Sequence, residues 1–157
     1  MTAAPLEFRR LEPSGRDALA DFFRRLRSAP AVCWFHPYPL MDAQAAALSA
    51  HRGRDLYWVL TDAGRVLGYG MLRGWDQGFE VPSLGIAVAP EERGRGLGRL
   101  MTDLLHEAAR RRGAGRVRIT VYTRNEPALR LFRAAGYRFR PLDADRLEGF
   151  RPLEGAR

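Results

Sequence analysis

The chain has 157 residues, of which 46% are hydrophobic, and it carries a formal net charge of +8. This length and composition predict one globular domain over residues 1–157 and exclude an intrinsically disordered chain. Nothing at the start of the sequence resembles a signal peptide, and no apolar run approaches the roughly 20 residues of a membrane span. The single cysteine excludes an internal disulfide and suits a reducing compartment, so we expect a cytoplasmic protein.

The first half of the chain predicts two helices between strands. Leu19, Phe22 and Leu26 recur at helical spacing behind Ser14, and Asp42 precedes an Ala-rich run, so Ser14 and Asp42 are the predicted caps of the two helices. Alternation then replaces helical spacing. The predicted elements are a strand over 6–12, a helix over 14–28, a loop over 29–40, a helix over 41–53, and strands over 56–61 and 65–73 joined by a hairpin turn at 62–64.

The second half predicts strands alternating with helices. The elements are a strand over 81–88, a helix over 97–113, a strand over 116–123, a helix over 125–136, and strands over 137–142 and 146–153. On the helix over 97–113, the apolar positions predict a buried stripe of Leu100, Met101, Leu104, Leu105 and Ala108. We interpret His51 and His106 as helix-surface residues. The resulting order, β-α-α-β-β-β-α-β-α-β-β, predicts a mixed sheet with helices packed against it.

Positive charge is concentrated in one part of the chain. Residues 93–140 contain 13 arginines and 3 acidic residues, whereas the remainder contains 13 arginines and 15 acidic residues. Such asymmetry favours a polyanionic partner, either a nucleic acid or a phosphate-rich cofactor.

The sequence "PEERGRGLGR" places Gly94, Gly96 and Gly98 between a predicted strand and a predicted helix. The first N–H groups of a helix are free, and glycines let an anion approach them closely, so this loop suits a pyrophosphate. A Walker loop is excluded because the chain has no lysine. A Rossmann fingerprint would need a third glycine where Arg99 stands.

Two segments, in order and on the predicted elements, resemble the signatures of the GNAT N-acetyltransferases. "GIAVAPEERGRGLGRLM" (85–101) carries Arg93, Gly96 and Gly98 at the diagnostic positions of the first signature, Arg/Gln-x-x-Gly-x-Gly/Ala. "NEPALRLFRAAGYRF" (125–139) resembles the second, an Asn-led helix that ends in Gly-aromatic. The resemblance implies an α/β (α+β) fold with a mixed, mostly antiparallel central sheet and helices on both of its faces.

The resemblance also implies acetyl-CoA as cosubstrate, an amine as acceptor and no metal. The backbone of Ile86, Ala87 and Val88 would pair with the pantetheine arm, and Asn125 would hydrogen-bond to it. The residues expected around the pyrophosphate are Arg93, Gly94, Arg95, Gly96, Leu97, Gly98 and Arg99. Because CoA is phosphate-rich, the basic region then requires no nucleic acid. We expect no membrane partner, and members of this family often pair, which makes a homodimer an option.

The sequence lacks the residue that often protonates the departing sulfur in this family. Many members of the family use a tyrosine on the second-signature helix, and Phe132 stands at that position. Water, Tyr122 or another group is an alternative donor, and Phe132 would pack on the CoA arm. The missing tyrosine also motivates a second hypothesis, a non-catalytic acyl-CoA-binding regulatory module.

The base and the acceptor are predicted from loop residues. Glu80 and His36 are the two candidate catalytic bases, and Ser83 stands where the family often has a glutamate. Asp76 and Glu80 favour a cationic acceptor such as a polyamine, an amino sugar or a peptide N-terminus. The three histidines are far apart in sequence, which argues against a metal site.

Overall fold

The computed structural model describes residues 5–29, 37 and 39–154. His36 therefore lies outside the described residues. The elements are β1 (Leu6–Arg10), α1 (Arg16–Arg27), α2 (Asp42–Ser49), β2 (Leu56–Asp62), β3 (Arg65–Arg73), β4 (Ser83–Val88), α3 (Leu97–Arg111), β5 (Arg116–Tyr122), α4 (Glu126–Ala134), β6 (Arg138–Pro141) and β7 (Arg146–Pro152).

The strands form one mixed sheet in the order β1-β2-β3-β4-β5-β7-β6. Every neighbouring pair is antiparallel except β4 and β5, which are parallel. This arrangement confirms the predicted element order and fold class. The sequence-based boundaries were too long in places: α2 ends at Ser49 and β4 begins at Ser83.

A two-residue turn joins β2 to β3, as the sequence predicted. Ala63 and Gly64 both have positive φ, 48° and 84°. This pattern matches the right-handed twist of the flanking strands, which other turn types would force apart.

The two faces of the sheet are covered by different helices. On one face, called here the α1 face, Phe22 and Phe23 of α1 pack in one cluster with Val59 and Tyr69 of β2 and β3. On the opposite face, α3 lies very close to β3. A Cβ atom on Gly70 would lie 2.8 Å from Cδ1 of Leu105, so glycine at this position allows the close approach.

The prediction of which face of α3 is buried was wrong, because the helix is rotated about its axis relative to the predicted stripe. Met101 and Leu105 are fully buried, but Leu100 and Leu104 are 40% and 37% exposed. Thr102 and His106 are buried instead. These polar side chains tolerate burial because each has a partner: Thr102 Oγ1 donates to the Gly98 carbonyl at 2.7 Å, and His106 Nε2 lies 2.7 Å from the Tyr137 hydroxyl. His106 is therefore not the surface residue that the sequence suggested.

The predicted helix caps have mixed outcomes. Asn125 caps α4, where its Oδ1 accepts from the Ala128 N–H at 3.3 Å. Ser14 does not cap α1, because a 3₁₀ turn over Pro13–Gly15 precedes that helix and Gly15 is its N-cap residue. Asp42 does not cap α2 either, because it is the first residue of that helix and Met41 is the N-cap residue.

Candidate active site

A slot opens in the sheet between β4 and β5. The two strands pair only at Ser83 and Arg118, where the Arg118 N–H donates to the Pro82 carbonyl at 2.9 Å. Beyond this point they diverge and leave a pocket of about 600 Å³ between β4, β5, α3 and α4. In an antiparallel strand, alternate residues direct their backbone groups away from the paired neighbour. The edge of β4 that faces away from β3 therefore presents backbone donors and acceptors to the slot.

The loop between β4 and α3 forms one rim of this pocket. A 3₁₀ turn over Pro90–Glu92 begins it, and Glu91 anchors it through Arg25 and Arg65, at 2.7 and 2.6 Å. Burial alone would raise the pKa of Glu91, but a hydrogen bond from its own backbone N–H, followed by the two arginines, lowers it, so the anchor keeps its charge at neutral pH. Gly94 and Gly96 follow with φ of 80° and 77°, a conformation that other residues adopt only with strain.

The N-terminus of α3 points its free donors at the same pocket. Gly96 is the N-cap residue and supplies no side-chain acceptor. The first helical hydrogen bond runs from the Leu100 N–H to the Gly96 carbonyl, at 3.1 Å. The N–H groups of Leu97, Gly98 and Arg99 precede it and have no helical acceptor, which makes this helix end suited to an anion.

The structure brings together the residues that the sequence assigned to the cofactor. Those that line the pocket are Ile86, Ala87, Val88, Arg93, Gly94, Gly96, Leu97, Gly98, Arg99, Asn125 and Phe132. Arg95 is not among the lining residues, and its side chain forms an ion pair with Glu92 instead. Ile86 and Phe132, which are 46 positions apart in the chain, thus line one pocket.

Phe132 lies in the pocket wall and presents no proton donor to it. Its ring is 3% exposed and meets Tyr137 edge-on, with the ring centroids 5.4 Å apart. Tyr122, an alternative donor from the sequence, is not among the lining residues. Thr120 is, and it supplies the only side-chain hydroxyl in the described pocket wall. The sequence analysis did not identify Thr120 as a site residue. The only indication in the sequence was the alternating pattern of β5, in which Thr120 points away from the apolar side chains.

A second pocket, of about 720 Å³, lies at the closed end of the slot, beside the pairing of Ser83 with Arg118. Leu84 lines both pockets. Glu80, the candidate base, lies in the wall of this second pocket and is exposed. Ser83 also lines it, and Arg118 Nη1 donates to its Oγ at 3.3 Å.

Asp76 is not among the residues that line this pocket, and its side chain holds a loop in place instead. Its carboxylate accepts from the N–H groups of Arg54 and Asp55, at 2.6 and 3.2 Å. These bonds, with the one from Arg54 the stronger cause, lower the pKa of Asp76. Asp55 reciprocates through Oδ1, which accepts from the N–H groups of Gly74 and Asp76 at 3.0 and 3.1 Å. The two carboxylates thus fasten the β3–β4 loop, which carries Glu80, to the start of β2.

Replacement of Asp55 by alanine is expected to loosen this loop. Asp55 is 6% exposed, so its loss leaves two inward N–H groups without an acceptor. We expect the free energy of unfolding to fall by about 2 kcal/mol. Asp55→Asn keeps Oδ1 and should lose about half as much. Urea denaturation of the three proteins measures both differences, and equal stability of Asp55→Ala and Asp55→Asn would contradict the role given to Oδ1.

Two negative findings concern only the described part of the chain. Residues 5–29, 37 and 39–154 contain no group of three or more His, Cys, Asp or Glu side chains that could hold a metal ion. Over the same residues, no helix is long and apolar enough to cross a bilayer.

A splayed parallel strand pair beside a glycine-rich helix N-terminus defines a site for an elongated ligand that carries an anion. The sequence profile of the acetyltransferase (GNAT) family matches residues 19–137. The chain therefore belongs to the GNAT acetyltransferase family.

Individual relatives extend the likeness over nearly the whole chain. The mycothiol acetyltransferase of Acidothermus cellulolyticus is 36% identical over 98% of this chain, which corresponds to 47% of that protein. The mycothiol acetyltransferase of Rhodococcus jostii is 31% identical over 73% of this chain and 34% of its own length. The chain thus spans less than half the length of these curated relatives.

A solved structure shares the fold. The acetyltransferase yncA from Salmonella typhimurium, solved with its cofactor acetyl-CoA, superposes with a TM-score of 0.76 at 18% identity, covering 96% of this chain and 95% of that one.

Proposed function

We propose that the protein is an acetyl-CoA-dependent N-acetyltransferase that moves the acetyl group to a primary amine by direct attack on the thioester. The observation that carries this proposal is the slot between β4 and β5, which ends at the free N–H groups of α3. An elongated cofactor with a peptide-like arm and a pyrophosphate needs both features in one pocket.

The residues present fit acetyl-CoA. The open edge of β4 offers the backbone groups of Ile86 and Val88 to the amides of the pantetheine arm, whereas those of Ala87, which the sequence also assigned to the arm, face Tyr69 of β3. The loop over 93–99 offers N–H groups to the pyrophosphate. The space beside Gly94 and Gly96 is open, since a Cβ atom on either residue would meet nothing within 4 Å, and the backbone there is accessible to a ligand. Asn125 and Phe132 line the opposite wall.

Acetyl-CoA supplies a thioester carbonyl that an amine can attack. A backbone N–H of β4, at Ile86 or Val88, would stabilise the negative charge that develops on the carbonyl oxygen, which is worth roughly 10²–10³ in rate. A thiol with a pKa of about 8.5 leaves readily near neutral pH, so the missing tyrosine at Phe132 does not prevent catalysis. Glu80 is the proposed acceptor of the amine proton, directly or through water.

The proposal is tested by titrating the purified protein with acetyl-CoA in a calorimeter and then following free thiol across pools of primary amines. Saturable binding together with amine-dependent thiol release is the expected result. Failure to bind acetyl-CoA would contradict the proposal. If acetyl-CoA binds but no pool of amines causes thiol release, the alternative of a non-catalytic acyl-CoA-binding module is favoured. That alternative is motivated by Phe132, which cannot donate a proton to the departing sulfur.

A further inference from the structure

The second pocket lies where an acceptor would approach the slot. It occupies the closed end of the β4–β5 divergence and shares the wall at Leu84 with the first pocket. Met71, Arg73 and Ser83 project from β3 and β4 on the α1 face, so this pocket opens on the side of the sheet away from α3.

The charged groups in this pocket are mainly positive. Arg73 and Arg118 line it, and Glu80 is the single acidic residue among the described lining. Arg118 is held in place by two neighbours: its Nη1 donates to Ser83, and its Nε lies 3.5 Å from Oε1 of Glu148. Its side chain remains 33% exposed, so part of the guanidinium faces solvent.

Glu148 does not cancel this positive charge. The same Oε1 atom also lies 3.3 Å from Nη2 of Arg140, so one carboxylate serves two guanidinium groups. The register places further arginines on this face of the sheet, since residues directly opposite each other in paired strands point to the same side. These are Arg116 on β5, Arg138 on β6 and Arg146 on β7. All three side chains are exposed, so this basic face of the sheet is open to solvent.

We propose that the acceptor is an anionic amine, a primary amine that also carries a carboxylate or a phosphate, bound through Arg118 and Arg73. This inference rests on the proposed acetyl transfer. The planar guanidinium of Arg118 matches a carboxylate or phosphate in two parallel hydrogen bonds. Glu80 supplies the opposite charge in the same pocket, so a zwitterion has a partner for each of its charges. This replaces the cationic acceptor that Asp76 and Glu80 suggested, because the Asp76 carboxylate is occupied by backbone N–H groups.

The transfer balances with this acceptor. The amine nitrogen forms a bond to the acetyl carbon, the carbon–sulfur bond breaks, and the proton lost by the nitrogen ends on the departing thiol or in solvent. The anionic group takes no part in these bonds. It orients the amine, and its loss should raise KM much more than it lowers kcat.

The test compares amines that differ only in the anionic group. The matched pairs are amino acids against their amides, and phosphoethanolamine against ethanolamine, with spermidine as the cationic arm. We expect the anionic member of at least one pair to have the higher kcat/KM, and the pair that responds separates a carboxylate from a phosphate. Arg118→Met should lower kcat/KM for that acceptor about 10–100-fold, mainly through KM, since a hydrogen-bonded charged group is lost.

Two variants control for structure. Arg138→Met removes a charge from the same face of the sheet but outside the pocket, and it should leave kcat/KM unchanged. Arg118→Lys keeps the charge without the planar fork and should restore part of the affinity. An equal loss for an acid and its amide in Arg118→Met, or a wild-type preference for spermidine, would overturn the inference while leaving the acetyltransferase proposal intact.

Calorimetry distinguishes failure of the anionic-acceptor inference from failure of the acetyltransferase proposal. The same amines are titrated into the protein with and without saturating CoA, so that acceptor binding is measured even if no thiol is released. Arg118-dependent binding of an acid but not of its amide supports the inference. Acids that bind no better than their amides overturn it, whether or not acetyl-CoA itself binds.

Discussion

Replacement of Gly98 by leucine should abolish most of the affinity for acetyl-CoA without unfolding the protein. Gly98 lies in the first turn of α3, and a Cβ atom there would point across the slot, 3.5 Å from Leu131 and 3.7 Å from Ile86. Those are ordinary contacts, so the fold can accept a side chain. The rest of a leucine would occupy the space given to the cofactor. We expect at least about 100-fold weaker binding, or about 2.7 kcal/mol, by calorimetric titration.

Two variants separate obstruction from a general effect of adding a side chain. Gly98→Ala adds only the Cβ atom and should weaken binding far less. Gly115→Leu makes the same change before β5, where a Cβ atom would meet nothing within 4 Å and which is outside the slot. It should bind acetyl-CoA as the wild type does. Wild-type affinity in Gly98→Leu would mean that the cofactor binds elsewhere.

The glycine-rich loop shows what local sequence can establish. Gly94 and Gly96 stand at positions that need positive φ, and Asn125 stands at a helix start that needs a side-chain acceptor. Each of these requirements lies within a few residues of the chain, so the pattern alone predicted the loop and the cap. The order of strands and helices followed for the same reason, because the apolar period changes clearly between 2 and 3.6 residues.

The acceptor side was not predictable in this way. Arg118 and Arg73 are separated by 45 positions and meet only because β4 pairs with β3 along its length and with β5 at one position. No local pattern distinguishes these two arginines from the other 24. Asp76 was misjudged for a related reason, since its partners are N–H groups of a strand start that lies more than 20 residues earlier.

The burial of His106 explains the misplaced stripe of α3. Apolar periodicity ranks histidine as a surface residue, but Nε2 of His106 meets the hydroxyl of Tyr137, 31 residues later. Burial raises the pKa of Tyr137, so its phenol stays protonated and can donate to the neutral imidazole. Because the two polar side chains hydrogen-bond to each other, both can be buried beside aliphatic side chains, and α3 turns the face that carries His106 towards the core.

The same burial makes stability depend on pH. Burial first, and then the nearby Arg151, lower the pKa of His106 from 6.5 to about 4, with Arg99 acting in the same direction and Asp103 against it. Between these two pH values the unfolded chain binds a proton that the folded protein does not. The stabilising contribution of neutral His106 is therefore complete above pH 6.5 and is lost as the pH falls towards 4. The expected loss is about 3 kcal/mol.

Urea denaturation of the wild type and of His106→Gln at pH 7, 6, 5 and 4 measures this contribution. Glutamine is neutral throughout, so the contributions of the carboxylates cancel in the difference between the two proteins. The stability advantage of the wild type should shrink by about 3 kcal/mol from pH 7 to pH 4. Tyr137→Phe removes the hydroxyl but keeps His106 buried, so it should lower stability at pH 7 and retain the pH dependence, because desolvation is the leading cause of the shift. A difference between wild type and His106→Gln that stays constant across this range would show that His106 is not buried as a neutral imidazole.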